Sequence, residues 1–384
     1  MGVAGCSGGG GSARSGVQGA RSSAAPIGIV DPAPQEQAPL LAAMHVQRSQ
    51  VIDGYRFWIG TIDGVPVVDV GSGEIDETVE LATYLLDTSF RPRLVLLSGT
   101  AGAQNAAINV GDVVVSGYVV DKSSIHYQQG GYQSPYRGIE IHLTDHSDIA
   151  GAVVDGVAKP YPSPATAPTY GAGPATSDTK WAFVEALAGS RQALAVAQGA
   201  GTALGTTTLA TATGTPQAGG SIVSKVVSGV IGQADVWTEP LSWLAAQNFL
   251  YQTDAEENEG SGFAFSNAQL GVPWLIVRGI SDTPWHPQSY DVILGSQRAA
   301  GVARYVIGHL PQQLSRTPAT IADLSPMANA RLAGYLVATK AYFGVGPVTQ
   351  VEYRDASGQP VTLPGSKLAA LQGEYTYDAS KLGP

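Results

Sequence analysis

The chain has 384 residues, 44% hydrophobic and 14% charged, enough for one large domain or two ordinary ones with a sizeable core. Its net charge of −10, with no Lys/Arg-rich run, argues against a nucleic-acid surface and leaves small molecules as the expected partners. A single cysteine, Cys6, excludes an intramolecular disulfide and a cysteine-based metal site; the six histidines form no close ligand pair, so no metal is expected.

At the start, "VAGC" (3–6) followed by "SGGGGSARSG" resembles a bacterial lipoprotein box, in which small residues precede a cysteine that is cleaved, lipidated and left as the new N-terminus. The charged and apolar stretches that come before such a box are not in this sequence. The reading makes residues 1–25 a flexible tether, Cys6 a lipidation site, and the protein a periplasmic or cell-envelope lipoprotein that meets the membrane only through that lipid. No other stretch has the length and apolarity of a membrane span.

The folded part begins at "PIGIV" (26–30), a short apolar strand ending in the loop "DPAPQE", and "APLLAAMHVQ" (38–47) reads as a helix. "YRFWIGTIDGVPVVDVGSG" (55–73) reads as two strands with Asp-Gly at the turn. Ile75, Val79, Leu81, Ala82 and Leu85 give a helix over 74–87. "RLVLLSGTAGA" (93–103) and "VGDVVVSGYVV" (110–120) are strands, and "SIHYQQGGYQSPYRG" is a polar, aromatic loop. Ser177 or Asp178 would cap a helix to about 190, with Trp181, Val184 and Leu187 on one face. The Gly/Thr-rich stretch 199–220 has no assignment. "SIVSKVVSGVIG" (221–232) reads as strand, "EPLSWLAAQNFL" (239–250) as a Thr238-capped helix, and 259–270 as a Gly-rich helix. "GVPWLIVRGISD" (271–282) is a buried strand ending on Arg278, Ser281 and Asp282, followed by a helix over 289–309. After Pro311, "SPMANARLAGYLVATKAYF" reads as a helix and "QVEYRDASGQPVTL" as a hairpin, with no functional reading for either. Strands alternating with helices, several apolar throughout, predict an α/β domain with a twisted mixed, mostly parallel sheet covered on both faces. In such sheets the ligand site lies beyond the carboxyl ends of the strands.

Three segments together carry a family resemblance: "LSGTAGAQNAAINVGDVVV" (97–115), "ENEGSGFAFSNAQLGVPWLIVRGISD" (257–282), and the loop with Glu36 after "IGIV". They resemble the purine nucleoside phosphorylase and uridine phosphorylase superfamily, nearest to its 5′-methylthioadenosine/S-adenosylhomocysteine nucleosidase branch. The resemblance implies a single three-layer domain over 26–312, with 313–384 as a small C-terminal extension, and no cofactor. It implies cleavage of a purine nucleoside of the adenosine or 5′-methylthioadenosine type, and a homodimer whose partner subunit completes the 5′ side of the site.

Cutting an N-glycosidic bond builds positive charge on the sugar and negative charge on the base. A neutral carboxylic acid near purine N7 can protonate the leaving group. The resemblance gives that role to Asp282, held by Ser281; Arg278, four residues upstream and so on the same strand face, would orient the loop. Glu259 matches the ribose-binding glutamate of "EMEGA"-like segments, Glu257 the first glutamate, and Asn258 stands where methionine is usual. Glu36 matches a glutamate that draws a proton from water. Trp237 would stack on the base beside the Val236 backbone. Thr100, Ala101 and Gly102 form a turn that lets backbone approach the sugar, and His126 would close the 5′ side.

Phosphorylases neutralise a phosphate dianion with arginines. The first loop here, "DPAPQEQAP", has no basic residue, and Ser98 precedes Gly99-Thr100 where related phosphorylases keep an arginine. Hydrolysis is therefore the favoured reaction. A phosphate-dependent phosphorylase is the alternative, and a non-catalytic nucleoside-binding or storage-type protein is a third reading, suggested by Asn258 and by "SGEIDET" (72–78) where the family often has "SGIGK".

Overall fold

The computed structural model describes residues 25–105, 108–123, 126–128, 131–133, 139–143, 152–154, 180–210, 216–236, 253–283, 290–319, 323–325, 350–354 and 360–364. Cys6 with its glycine-rich neighbours, Trp237, the expected helix 239–250 and the expected helix after Ser325 lie outside the described residues.

Strand β1 (Ile27–Asp31) opens the fold and α1 (Pro34–Ala43) follows. Pro34 lies in the first helical turn, where its missing N–H costs nothing, and the Glu36 carboxylate accepts the Ala33 N–H at 2.9 Å. The helix therefore starts earlier than the apolar run 38–47 suggests, and Glu36 sits in its first turn rather than in a loop. Residues 45–47, expected to be helical, open strand β2 (His45–Ile52) instead. It forms an antiparallel meander with β3 (Tyr55–Ile62) and β4 (Val65–Gly71). Both turns are Asp-Gly with positive φ: 45° and 89° at Asp53-Gly54, 50° and 81° at Asp63-Gly64.

Next come α2 (Asp76–Phe90), β5 (Leu94–Ala103) and β6 (Val113–Asp121), close to their predicted positions. The polar loop contains a small hairpin, β7 (His126–Gln128) with β8 (Gly131–Gln133). Beyond it are β9 (Ile139–Leu143), β10 (Ala152–Val154) and β11 (Lys180–Ala188). β11 corrects the sequence reading, which made this stretch a helix. The run "KWAFVEALA" also satisfies a two-residue period, and antiparallel partners on β6, β9 and β10 decide for strand. The helix begins where it was expected to end: α3 (Arg191–Gln198) is capped by Ser190, whose Oγ accepts the Ala193 N–H at 3.4 Å.

The unassigned stretch gives a 3₁₀ turn and a hairpin of β12 (Thr206–Ala210) with β13 (Pro216–Val223), so the run 221–232 is split between β13 and β14 (Val226–Gln233). Then follow β15 (Ala255–Glu257), α4 (Gly260–Leu270), β16 (Trp274–Asp282) and α5 (Val292–His309). The expected C-terminal hairpin is present as β17 (Gln350–Arg354) with β18 (Pro360–Pro364).

The main sheet is mixed. Parallel pairing runs through its centre: β4 to β1, β1 to β5, β5 to β16, and β6 to β14 to β15. Antiparallel β16–β6 and β15–β5 contacts close the circuit β5–β16–β6–β14–β15 into a small barrel. Alternate residues feed two cores. Val30, Val95, Leu97 and Ile276 pack against α2 and α4; Ile29, Leu96, Leu275 and Val277 pack against α1, α3 and α5. The result is a three-layer α/β domain with strands buried on both faces, which accounts for their continuous apolar runs. The chain just after residue 312 stays on this body: Ala319 and Leu324 are buried, and Ser325 N–H donates to the Ser228 carbonyl at 2.8 Å.

Candidate active site

The carboxyl ends of β1, β5 and β16 face one edge of the sheet, with the α1 amino end above them. Glu36 reaches across from α1, and its Oε1 accepts both the Thr100 N–H at 2.6 Å and the Thr100 hydroxyl at 2.7 Å. Its other oxygen is taken by the helix start. Burial raises the Glu36 pKa; the Arg278 charge and the two Thr100 hydrogen bonds pull it down, and Glu259 pushes it up.

Arg278 lies within the same site, 1% exposed on β16. Its Nη2 binds Glu257 and, at 2.9 Å, Glu259 Oε2; its Nη1 donates to the Thr100 carbonyl at 3.3 Å. Burial works against the guanidinium charge, but Glu257, Glu259 and Glu36 together hold its pKa above the ordinary value. Glu257 also receives the N–H groups of Glu259 and Gly260, both at 3.0 Å, and burial lifts it to about 7 despite Arg278. Arg278 thus ties together Glu257, Glu259 and the Thr100 backbone.

Gly99 makes this convergence possible. A Cβ there would collide with Arg278 Nη1 and stand 2.9 Å from Glu36 Oε1. Glu259 Oε1 accepts the Ile75 N–H at 3.3 Å, and Asp76 accepts the Gly262 N–H at 2.5 Å, so the "SGEIDET" loop braces the start of α4. Ile75 holds φ 75°, ψ 154°, a region that costs a β-branched residue about 1–3 kcal/mol.

Asp282 is half-buried at the end of β16, and Ser281 Oγ donates to its Oδ1 at 2.7 Å. The alternation that would put Arg278 and Asp282 on one face does not hold. A bulge between Ile280 and Asp282 makes Arg278 the partner of Gly99 and Asp282 the partner of Gly102, so their β5 partners are offset by three positions and lie on opposite faces. Asp282 Oδ2 lies 3.1 Å from where a Gly102 Cβ would be. Tyr290, absent from the sequence reading, feels Asp282, Glu36 and Glu74 together: burial first, then these three carboxylates, raises its phenol pKa.

Asn258 is 9% exposed, and its Oδ1 has no hydrogen-bond partner among the described residues. Ala101 is buried, and Val236 is largely exposed. His126 starts β7, with its side chain outside the described set, as is all of Trp237. Sequence reasoning missed Asp31 and Asp69, buried carboxyls behind Glu36, because both sit in apolar strands where either reads as an isolated polar residue. A cleft of ≈ 340 Å³ lined by Ser190, Trp274 and Arg316 lies at the opposite, amino end of β16 and contains none of these acids. No cluster of metal-ligand type occurs among the described residues.

Comparison with known proteins agrees with this architecture. The chain is 36% identical over 108 residues to a 5′-methylthioadenosine/S-adenosylhomocysteine nucleosidase of Shewanella sp. (strain MR-7), spanning 27% of this chain and 46% of that protein. A nucleosidase of the same name from Geobacillus thermodenitrificans is 34% identical over 141 residues, 35% of this chain and 58% of that one. The matches therefore span about half the length of these curated relatives. Among solved structures, the adenine complex of the Colwellia psychrerythraea nucleosidase superposes with a TM-score of 0.52 at 22% identity, covering 76% of this chain and 98% of that one. Futalosine hydrolase of Helicobacter pylori gives 0.50 at 18%, covering 75% and 99%. At these identities the structural likeness is one of fold. The model of the phosphorylase superfamily matches residues 26–306, most of the chain, and the protein belongs to that superfamily.

Proposed function

We propose that this protein hydrolyses the N-glycosidic bond of a purine nucleoside of the adenosine or 5′-methylthioadenosine type, releasing free base and the ribose moiety. The observation that carries the reading is Glu36 fixed on Thr100 beside a single buried guanidinium already committed to Glu257 and Glu259. A phosphate dianion there would meet three carboxyls and no free positive charge among the described residues. A neutral water meets an acceptor.

In this mechanism Asp282, in its acid form, gives its proton to purine N7 as the C1′–N9 bond breaks and its electrons pass to the base. Ser281 Oγ donates to Asp282 Oδ1 and holds the carboxyl in place. Glu259 accepts from the ribose hydroxyls and, with Glu257, stabilises the developing oxocarbenium charge. Glu36 takes a proton from the water whose oxygen bonds to C1′. Arg278 acts as the positioning residue. Asn258 Oδ1 supplies an acceptor for a sugar hydroxyl, Thr100–Gly102 lie against the sugar, and Val236 with Trp237 and His126 complete the base and 5′ sides.

Two further elements belong to the proposal. The Cys6 box and the glycine-rich tether support a lipid-anchored protein of the cell envelope. The exposed Ile75, Leu81 and Tyr84 around α2 support a homodimer.

The test is chromatographic detection of free adenine from adenosine and 5′-methylthioadenosine, with and without phosphate. Release without phosphate is expected, and Glu36→Gln should lower it about 10²–10⁴-fold. Strict phosphate dependence would replace this reading with the phosphorylase. Purine binding with no turnover under either condition would replace it with a binding protein.

A further inference from the structure

Behind Glu36 lie two acids that the mechanism does not use. Asp31 ends β1 and Asp69 lies on β4, and the parallel register pairs Ile29 with Asp69 and Asp31 with Gly71. The two acids are therefore diagonal neighbours on one face of the sheet. Both are 0% exposed. Neither Asp31 oxygen receives a hydrogen bond from an N–H or O–H among the described residues. Asp69 Oδ1 does, from Gln37 Nε2 at 2.6 Å.

Two adjacent carboxyls cut off from water do not both ionise, because desolvation and mutual repulsion act together. The Gln37 hydrogen bond decides which of them carries the charge. It favours Asp69 as the carboxylate and Asp31 as the acid. The charged groups facing Asp31 from packed elements are Asp69 on β4, Glu36 on α1 and Arg278 on β16. Burial, Asp69 and Glu36 all push the Asp31 pKa up, outweighing Arg278; burial brings Asp69 to about 6 against the pull of Gln37 and Asp31.

We propose that Asp31 and Asp69 share one proton across the β1–β4 pair, and that Asp31, kept in its acid form, is a positioning residue that leaves Glu36 as the ionised carboxylate. The inference rests on the reading of Glu36 as the group that accepts a proton from water. An ionised Asp31 would put a second negative charge beside a Glu36 that burial already pushes toward protonation, and a protonated Glu36 accepts nothing from water.

The test pairs infrared difference spectroscopy with the pH profile of kcat/KM, on the full chain. The wild-type minus Asp31→Asn spectrum should show a protonated-carboxyl C=O band that persists at neutral pH. Asp31→Asn should leave the acidic limb of the profile in place, because one neutral side chain replaces another. Asp69→Asn removes the carboxylate that holds the Asp31 proton, so Asp31 ionises together with Glu36 and the limb moves up by about one pH unit. The double variant should restore the wild-type limb, an outcome a purely structural defect would not give. A missing band, a downward shift in Asp31→Asn, or a double variant that stays displaced each overturns the proposal. Absence of phosphate-independent hydrolysis in the wild type would instead strike at the Glu36 reading, and the infrared band would still judge the shared proton.

Discussion

Replacing Arg278 with methionine tests the electrostatic frame of the site most directly. The side chain is 1% exposed and bridges Glu257, Glu259 and the Thr100 carbonyl, and methionine fills much of its volume without the charge. Removing one partner of a buried ion pair costs about 3–5 kcal/mol, most of it the penalty of the charges left behind. Here the loss depends on pH. Glu257 already titrates at about 7, and loss of the guanidinium, its main source of downward pull, lifts it further.

A carboxyl whose folded pKa is raised contributes stability that is intact below its unfolded value and lost as pH rises through the folded one. The substitution extends that window upward. Its deficit against wild type should be smallest near pH ~6, where Glu257 takes up a proton, and larger by about 1–3 kcal/mol near pH ~8.5. Urea unfolding of both proteins at the two pH values measures it. A deficit below about 1 kcal/mol, or one independent of pH, would refute the view that Arg278 neutralises these acids. Arg278→Lys keeps the charge but not the fork, and should recover part of the stability while leaving turnover low.

Other perturbations read other parts of the site. Gly99→Ala drives a methyl group into Arg278 and toward Glu36, and should cost about 1–3 kcal/mol together with a loss of kcat; an alanine variant with normal stability and turnover would show that the close approach is unimportant. Asn258→Leu removes the unpartnered buried oxygen, and should raise KM for the nucleoside about 5–30-fold while leaving the stability unchanged or higher; an unchanged KM would remove Asn258 from the sugar contact. Asp282→Asn should abolish most turnover yet retain purine binding by calorimetry; loss of both together would assign Asp282 a structural role. Asp87, on α2, has no partner for either oxygen among the described residues, and burial lifts it to about 8. Asp87→Asn should stabilise the fold by about 1–3 kcal/mol at mildly alkaline pH and by much less at acidic pH, read as thermal midpoints; an equal gain at both would exclude ionisation as the cause.

What the sequence disclosed and withheld follows physical lines. The buried strands β1, β5, β6 and β16 were readable because both faces of each are covered, which leaves an uninterrupted apolar signature. β2 was not, since its exposed side chains carry almost no apolar alternation, although its Ile-Asp-Gly turn repeats the one that marked β3–β4. β11 failed for the opposite reason: its spacing fits both periods, and only partners distant in sequence resolve it. Glu36, Glu257 and Glu259 were found as separate motifs. Arg278 was placed on the face of Asp282 instead of among these three glutamates, because the bulge at Ser281 cannot be seen in a run of letters. Asp31 stayed hidden because its meaning depends on the register of β4.

That register explains how so acidic a site can work. Asp31, Glu36, Glu257 and Glu259 interact with one guanidinium, with Asp69 beside Asp31, and burial opposes ionisation wherever it shifts them. The distribution of donors then decides which acids keep a proton. Glu36 has three donors from Thr100 and Ala33; Glu257 and Glu259 have Arg278 and backbone N–H groups; Asp69 has Gln37; Asp31 has none among the described residues. The order of donor supply matches the order of need. In the proposed mechanism, the acid that receives a proton from water is the one best supplied with donors, and the acid with no contact to the substrate is the one that holds a proton.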